Sequence, residues 1–327
     1  MFSLYEETIR KSLIKMEDYV MDKNTIVLGI DHGWANMKTF HEVFTSGVKE
    51  ISTAPAMYND TLEYNGKIYK IGGKRLEVKP TKVQDENYYL LTLAAIAKEL
   101  SIRKIQKAGV FLAVGLPLTR FGEEKDAFIK YLSQNKGVTF KYEKRNYHIT
   151  IERISVYPQC YGAVADRLYL FPQKQLVVDI GSWTVDIMPI INRSPDESVC
   201  ITQPHGIITC MKEINKECVK QLNEEIDEHD ILQVILDGAE HLPEKYRVII
   251  ENKLREYCQQ IYYNIRELGY NMELTPITFV GGGAGVMKRY GEMNQQNISY
   301  IDDVRANAKG YEYLAKHYLE RVLQKTC

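Results

Sequence analysis

Tryptophan is the scarcest aromatic in this 327-residue chain, with two copies against 23 tyrosines. Surplus charge is also missing. Lys plus Arg is 42 and Asp plus Glu is 43, a formal net charge of −1. A direct nucleic-acid binder usually shows a basic surplus with which to hold phosphate backbones. No apolar run approaches the roughly 18–20 residues of a membrane span. Direct nucleic-acid binding and membrane insertion are therefore not expected. Six cysteines are scattered at 160, 200, 210, 218, 258 and 327, with no C-x-x-C pair. The seven histidines include no H-E-x-x-H. Reduced thiols in a cytoplasmic protein are expected, without a disulfide framework or structural metal.

Hydrophobic residues make up 45% and charged residues 26%, the balance of a soluble globular protein of about two domains. Residues 1–24 carry Glu6, Glu7, Glu17 and Asp18 and no uninterrupted apolar stretch. They do not fit a secretory signal and read as an N-terminal extension outside the fold. Residues 25–31 (TIVLGID) read as a buried strand feeding a tight loop. Strands are expected over 37–44 and 50–54, then a hairpin around Asn65-Gly66. Helical periodicity follows over 85–100, a buried strand over 109–116, and a helix over 122–134. A hairpin over 138–142 and 147–151, a strand over 154–157 and a helix over 159–170 complete this half.

After Pro172 the pattern restarts. Strands are expected at 175–179, 185–190, 200–203 and 276–280, with helices over 207–225, 243–268 and about 302–323. Each half opens with an apolar strand, an Asp and a Gly two residues on, so a duplicated α/β architecture is expected. Its expected parts are 25–172, 173–304, and a C-terminal helix over 305–327 that packs back on the first half.

Three glycine-bearing elements carry chemistry. The first is Asp31-His32-Gly33-Trp34-Ala35-Asn36-Met37-Lys38; the second is Asp179-Ile180-Gly181-Ser182-Trp183-Thr184-Val185-Asp186. Glycine lets the backbone turn sharply and present N–H groups to anionic oxygens. An Asp at each strand end can hold a hydrated divalent cation beside them, and Lys38 adds positive charge. One D-x-G is an ordinary turn; two, about 150 residues apart and each after a buried strand, form a more specific signal. The third element, Phe279-Val280-Gly281-Gly282-Gly283-Ala284-Gly285, lets a flat ligand approach the backbone. It is neither a Walker loop nor a full G-x-G-x-x-G.

In this order the three elements resemble the phosphate 1, phosphate 2 and adenosine motifs of the actin ATPase superfamily. The likeness is strongest to bacterial actin-like proteins of the ParM/StbA type, which segregate plasmids. Gly115-Leu116-Pro117-Leu118 and the segment 154–163 (ISVYPQCYGA) extend it. The resemblance implies two duplicated α/β domains with a nucleotide cleft between them. It implies that Asp31 and Asp179 face a Mg²⁺–phosphate unit through water. Gly33, Trp34, Asn36, Lys38, Gly181, Ser182, Trp183 and Thr184 would then belong to the phosphate loops. Gly281, Gly282, Gly283 and Ala284 would pass by the adenosine. Gln159 falls where relatives orient the attacking water. Lys212, Glu213 and Lys216 lie where relatives contact base or ribose, although a solvated helix face is an equal reading.

The function so implied is ATP hydrolysis, with GTP as an alternative, coupled to filament assembly. The protomers would self-associate head to tail, and an adaptor bound to centromere-like DNA would be the partner. A small-molecule kinase on the same fold, or a non-hydrolysing scaffold or cell-division factor, are the alternatives. One departure stands out. Relatives usually carry a small residue, often Ser or Thr, where Trp34 and Trp183 stand. Trp34 lacks the hydroxyl that would touch the γ-phosphate, and Ser182 or Thr184 would have to compensate.

Overall fold

A computed structural model describes residues 25–325 apart from 54, 239–241 and 294–295. The N-terminal extension and the end of the strand expected over 50–54 lie outside the described residues. The first half contains β1 (Ile26–His32), β2 (Asn36–Lys38), β3 (Val43–Thr45), β4 (Val48–Ile51), β5 (Thr61–Tyr64) and β6 (Lys67–Ile71). Helix α1 (Asn87–Ile102), β7 (Lys107–Leu116), α2 (Leu118–Leu132), β8 (Gly137–Tyr142) and β9 (Arg145–Pro158) follow. A single-turn helix α3 (Tyr161–Val164) leads to the second half. There β10 (Lys174–Ile180), β11 (Val185–Ile191), β12 (Ser194–Pro195) and β13 (Ile201–Gln203) precede α4 (Ile207–Leu222), α5 (Glu228–Asp237) and α6 (Glu244–Glu267). The chain closes with β14 (Ile277–Val280), α7 (Ala284–Tyr290), β15 (Ile298–Ile301) and α8 (Ala306–Lys325).

Two sheets result. The larger has the order β3-β2-β1-β7-β9-β8-β5-β6-β4, and the smaller β12-β11-β10-β14-β15, with β13 also on β11. The same unit lies at the heart of both. An antiparallel hairpin (β1–β2 or β10–β11) has a parallel strand, β7 or β14, on its other side. Parallel neighbours are buried on both faces, so these strands are apolar throughout rather than alternating. Leu28 and Ile30 face a core that includes Leu91 and Ala94 of α1. Val27 faces the other way, with Phe111, Ala113, and Tyr311 and Ala315 of α8. In the second sheet Leu176, Val178 and Ile180 pack with residues of α4, α6 and α7. Val177 meets Cys160, Val164 and Ala306. Helix α8 thus lies against β1 and β7, while its first turn reaches the second sheet.

Several local readings change. The expected strand over 37–44 is β2, a turn, and β3. The turn is pinned by buried Glu99 of α1, whose Oε1 accepts from the His41 amide at 2.9 Å and whose carboxylate also takes the Thr39 hydroxyl. The segments 147–151 and 154–157 form one strand, β9, with a register shift against β7. Gln159 does not begin a helix. Pro158 ends β9, Cys160 turns into the left-handed region at φ 69°, and α3 starts at Tyr161. Residues 298–301 pair with β14 as a strand, so the last helix begins at Ala306 rather than near 302. Helix α5 was not anticipated; the Asp227 carboxylate caps it by accepting from the His229 amide at 2.7 Å.

Candidate functional site

The two hairpins bring their aspartates to one place. Asp31 is the penultimate residue of β1, and its direct cross-strand partner on β2 is Lys38. The Lys38 ammonium donates to Asp31 Oδ2 at 2.9 Å, and Gln159 Nε2 donates to Asp31 Oδ1 at 3.1 Å. Gln159 reaches this point because its backbone N–H is held by the Leu116 carbonyl at 2.8 Å, at the end of β7. Burial pushes the Asp31 carboxyl up, but Lys38, Lys82 and Gln159 outweigh it and hold the carboxyl below its usual range. Burial pulls the Lys38 ammonium down, yet Asp31 and then Asp179 raise it above its ordinary value.

Asp179 is the penultimate residue of β10, the equivalent position, and its cross-strand partner is Asp186. Asn307, in the first turn of α8, donates to Asp179 Oδ2 at 2.7 Å and accepts from the Cys160 amide at 3.1 Å. Burial raises the Asp179 carboxyl above its usual range despite that hydrogen bond. Burial, reinforced by Asp179, pushes Asp186 up to about 6. Its oxygens accept from the hydroxyls of Thr202 at 2.5 Å and Thr184 at 3.1 Å. Thr184 is therefore turned towards its own hairpin.

Both loops point their carbonyls into the protein. The Gly33 carbonyl accepts from the Ser46 hydroxyl at 2.7 Å and from Tyr88 at 3.3 Å. The carbonyls of Trp183, Gly181 and Ser182 accept from the amides of Gly206, Ile207 and Ile208 at 3.1, 3.1 and 2.9 Å. These bonds occupy the N-terminus of α4, and within the second loop the Gly181 amide donates to the Thr184 carbonyl at 2.9 Å. A Cβ on Gly33 would lie 2.4 Å from the Asn36 carbonyl, so this turn admits no side chain. Gly281 has φ +83°, and a Cβ there would lie 2.2 Å from Asp179 Oδ1. The glycine run thus passes directly against the second aspartate. Gly282 is open to solvent, while Gly283 and Ala284 are packed at the start of α7.

The structure brings Asp31, Lys38, Gln159, Asp179 and Gly281 together. Trp34 stands edge-on to Tyr88, centroids 5.5 Å apart, and packs against the first core. The Lys212 ammonium lies 5.0 Å from the Trp183 ring. Glu213 and Lys216 are exposed and face each other at 3.7 Å on the solvent side of α4. Three residues here escaped the sequence reading. Asp186 ends the second element, where the charge opposite its strand-end Asp was the available signal. Asn307 and Lys82 have no local signal, since the first turn of α8 and the segment after β6 carry them in from distant parts of the chain. Lys82 lies between Thr81 and Val83, and its ammonium sits 5.5 Å from the Trp34 ring and 5.9 Å from the Tyr88 ring. Burial draws that ammonium down to about 8, against the pull of Asp31 and Glu124.

Comparison with known proteins agrees with this architecture. Residues 29–162 match the family described as the actin-like proteins' N-terminal domain. No curated protein matches the chain in sequence. Among solved structures, the archaeal actin homologue Ta0583 in complex with ADP is similar with a TM-score of 0.71 and 21% identity, over 90% of this chain and 100% of that one. The apo ParM protein of pSK41 gives a TM-score of 0.71 and 18% identity over 92% and 99% of the two chains. The Alp12 filament protomer gives 0.67 and 16% over 91% and 100%. Residues 29–162 thus match an N-terminal domain of the actin-like proteins, and the two halves of the chain together have the actin-like fold.

Proposed function

We propose that this chain is an ATPase that assembles head to tail into filaments and uses nucleotide turnover to drive plasmid segregation through an adaptor. The observation that carries this reading is the pair of strand-end aspartates, Asp31 and Asp179, set beside two glycine loops with Gln159 on the first carboxylate. The ADP complex of the archaeal homologue and the filament of Alp12 support it.

The residues fit a bound nucleotide and its cation. The two turns offer backbone amides other than that of Gly181 for phosphate oxygens, and Gly281 and Gly282 leave a side-chain-free surface for an adenosine. Among the described residues no three His, Cys, Asp or Glu side chains gather into a metal cluster. A Mg²⁺ here would therefore be held by phosphates and water, with Asp31 and Asp179 orienting that water. Bound Mg²⁺ would supply charge neutralisation at the phosphates. The chain's own part is positioning. With Nε2 committed to Asp31, Gln159 has its amide oxygen left to accept from a water and aim it at the terminal phosphorus. An amide orients water but is a poor base, so turnover is slow in the free protomer.

A kinase acting on a small acceptor needs a carboxylate base. The carboxyl paired across from Asp179, that of Asp186, is tied by Thr184 and Thr202, which counts against that reading. Light scattering after addition of Mg²⁺ and ATP is the test of assembly, and no rise at tens of micromolar protein would refute the filament. Gln159→Ala is expected to slow phosphate release about 10–100-fold with assembly intact. Unchanged release would remove Gln159 from the mechanism.

A further inference from the structure

Beside the first loop lies a buried cation that no carboxylate among the described residues contacts. Lys82 is 8% exposed. Among the described residues no carboxylate lies within 4.0 Å of its ammonium and no hydrogen bond to it is formed; its contacts are the faces of Trp34 and Tyr88. Burying an ammonium costs several kcal/mol unless an anion or strong hydrogen bonds offset it. Two aromatic faces offset only part of that. The other lysine of the floor is not comparable, because Lys38 is committed to Asp31 at 2.9 Å. Nor is Lys212, which sits over Trp183 but is exposed to water. Of these three lysines, Lys82 alone is both buried and without a carboxylate in contact among the described residues.

Its position says where the anion belongs. The ammonium lies over Trp34 of the first glycine loop, within electrostatic reach of Asp31, Glu124, Lys38, Arg120 and Asp186. It enters from the segment that follows β6 and rests on Trp34 of the first loop, whereas Gly281 lies against Asp179 of the second hairpin. It therefore belongs to the first glycine loop and not to the glycine run. Trp34 fills the loop position where a hydroxyl is absent, and the ammonium rests on that indole.

We propose that Lys82 is a ligand of the terminal phosphate of a bound nucleoside triphosphate, leaving the face of Trp34 to pair with the γ-phosphate oxygens. This rests on the reading of the cleft as a nucleotide site. The lysine then distinguishes triphosphate from diphosphate, because only the triphosphate extends an anion to it.

The test uses the full chain with Mg²⁺ and the variants Lys82→Met and Lys82→Arg. Methionine keeps the stem packed between Trp34 and Tyr88 and removes the charge. ATP and ADP affinities are measured separately by equilibrium titration, with thermal melting of each variant as the control for folding. Lys82→Met is expected to lose about 10–100-fold in ATP affinity, as for one charge-assisted hydrogen bond of ~1.5–3 kcal/mol, and less than about threefold in ADP affinity. Lys82→Arg is expected to keep the wild-type preference for ATP. An unchanged ATP-to-ADP ratio in Lys82→Met would overturn the assignment. Equal losses for both nucleotides would also overturn it, by placing Lys82 on phosphates common to both. If Lys82→Met fails to fold, loss of the ATP preference in a folded Lys82→Arg would overturn the assignment. Failure of the wild type to bind either nucleotide would overturn the nucleotide reading first, and this assignment with it.

Discussion

The hairpins β1–β2 and β10–β11 place a strand-end aspartate opposite a residue seven positions later in the chain, Lys38 in one case and Asp186 in the other. The loop of each carries a tryptophan with a lysine over its ring, Lys82 at 5.5 Å and Lys212 at 5.0 Å. The backbone plan is repeated, and the charge is not. The first hairpin neutralises its own carboxylate with Lys38 and a hydrogen bond from Gln159. The second sets two carboxylates across from each other, and both are raised above their ordinary range. One hairpin is electrostatically complete, whereas the other gains from any cation brought to it. A divalent cation held on phosphates would meet that demand, and the asymmetry assigns different work to two elements of equal geometry.

The largest expected effect is at the pair that makes the first hairpin complete. Lys38→Met leaves Asp31 buried without its cation, which costs about 3–5 kcal/mol. The Lys38 side chain is 18% exposed and that of Asp31 3%, so solvent cannot take over the pairing. Urea unfolding of the nucleotide-free protein checks this. Adding Asp31→Asn should recover much of the loss, since a neutral amide there needs no counter-ion. An unchanged unfolding midpoint in Lys38→Met would erase the contrast between the hairpins.

At the equivalent position of the second hairpin the sign reverses. The folded protein holds the Asp186 proton up to about 6, whereas an unfolded Asp releases it near its ordinary value of 3.8. The native state thus binds more protons between those values, and stability falls as pH rises through that window. Above pH 6 the ionised carboxylate is a fixed cost. Asp186→Asn should therefore stabilise the nucleotide-free protein at pH 7–8 in EDTA by about 1–3 kcal/mol, with the gain vanishing below pH 4. The range is below the full linkage value because the amide replaces two threonine hydrogen bonds imperfectly. A gain independent of pH would show that packing, rather than charge, makes the position unfavourable.

How far the sequence carries this contrast depends on the range of the interactions. The apolar strands ending in Asp31 and Asp179 are legible because burial on both faces demands a continuous apolar run. The glycines that follow are legible because a tight turn excludes side chains. Lys38 and Asp186 occupy corresponding places in the two elements, so even their difference in charge is written locally. Gln159 is found by resemblance, but its setting is missed: Pro158 ends a strand instead of opening a helix. Asn307 and Lys82 are invisible locally. Asn307 arrives because α8 returns across the whole chain to β1, and Lys82 because the segment after β6 folds over Trp34. Neither contact leaves a periodicity or a spacing to read. Helix α5 is missed for another reason: its apolar residues, Ile231, Val234 and Ile235, span too short a stretch to declare a period.

The smallest expected effect concerns the two indoles, and it separates the loops most finely. Trp183→Phe leaves Trp34 as the sole emitter, and Trp34→Phe leaves Trp183. Trp34 is wedged against Tyr88 and the first core, so a bound nucleotide alters its surroundings mainly through the charge above it. Lys212 above Trp183 is exposed, so a bound nucleotide alters that indole mainly by excluding water. ADP and ATP are therefore expected to change Trp183 emission and its acrylamide quenching alike. Trp34 is expected to respond to ATP more than to ADP, and to lose that difference in a Lys82→Met background. Identical responses of both indoles to both nucleotides would mean that the loops sense only occupancy. The unequal charges of the two hairpins would then act on stability and cation binding alone, with no part in distinguishing triphosphate from diphosphate.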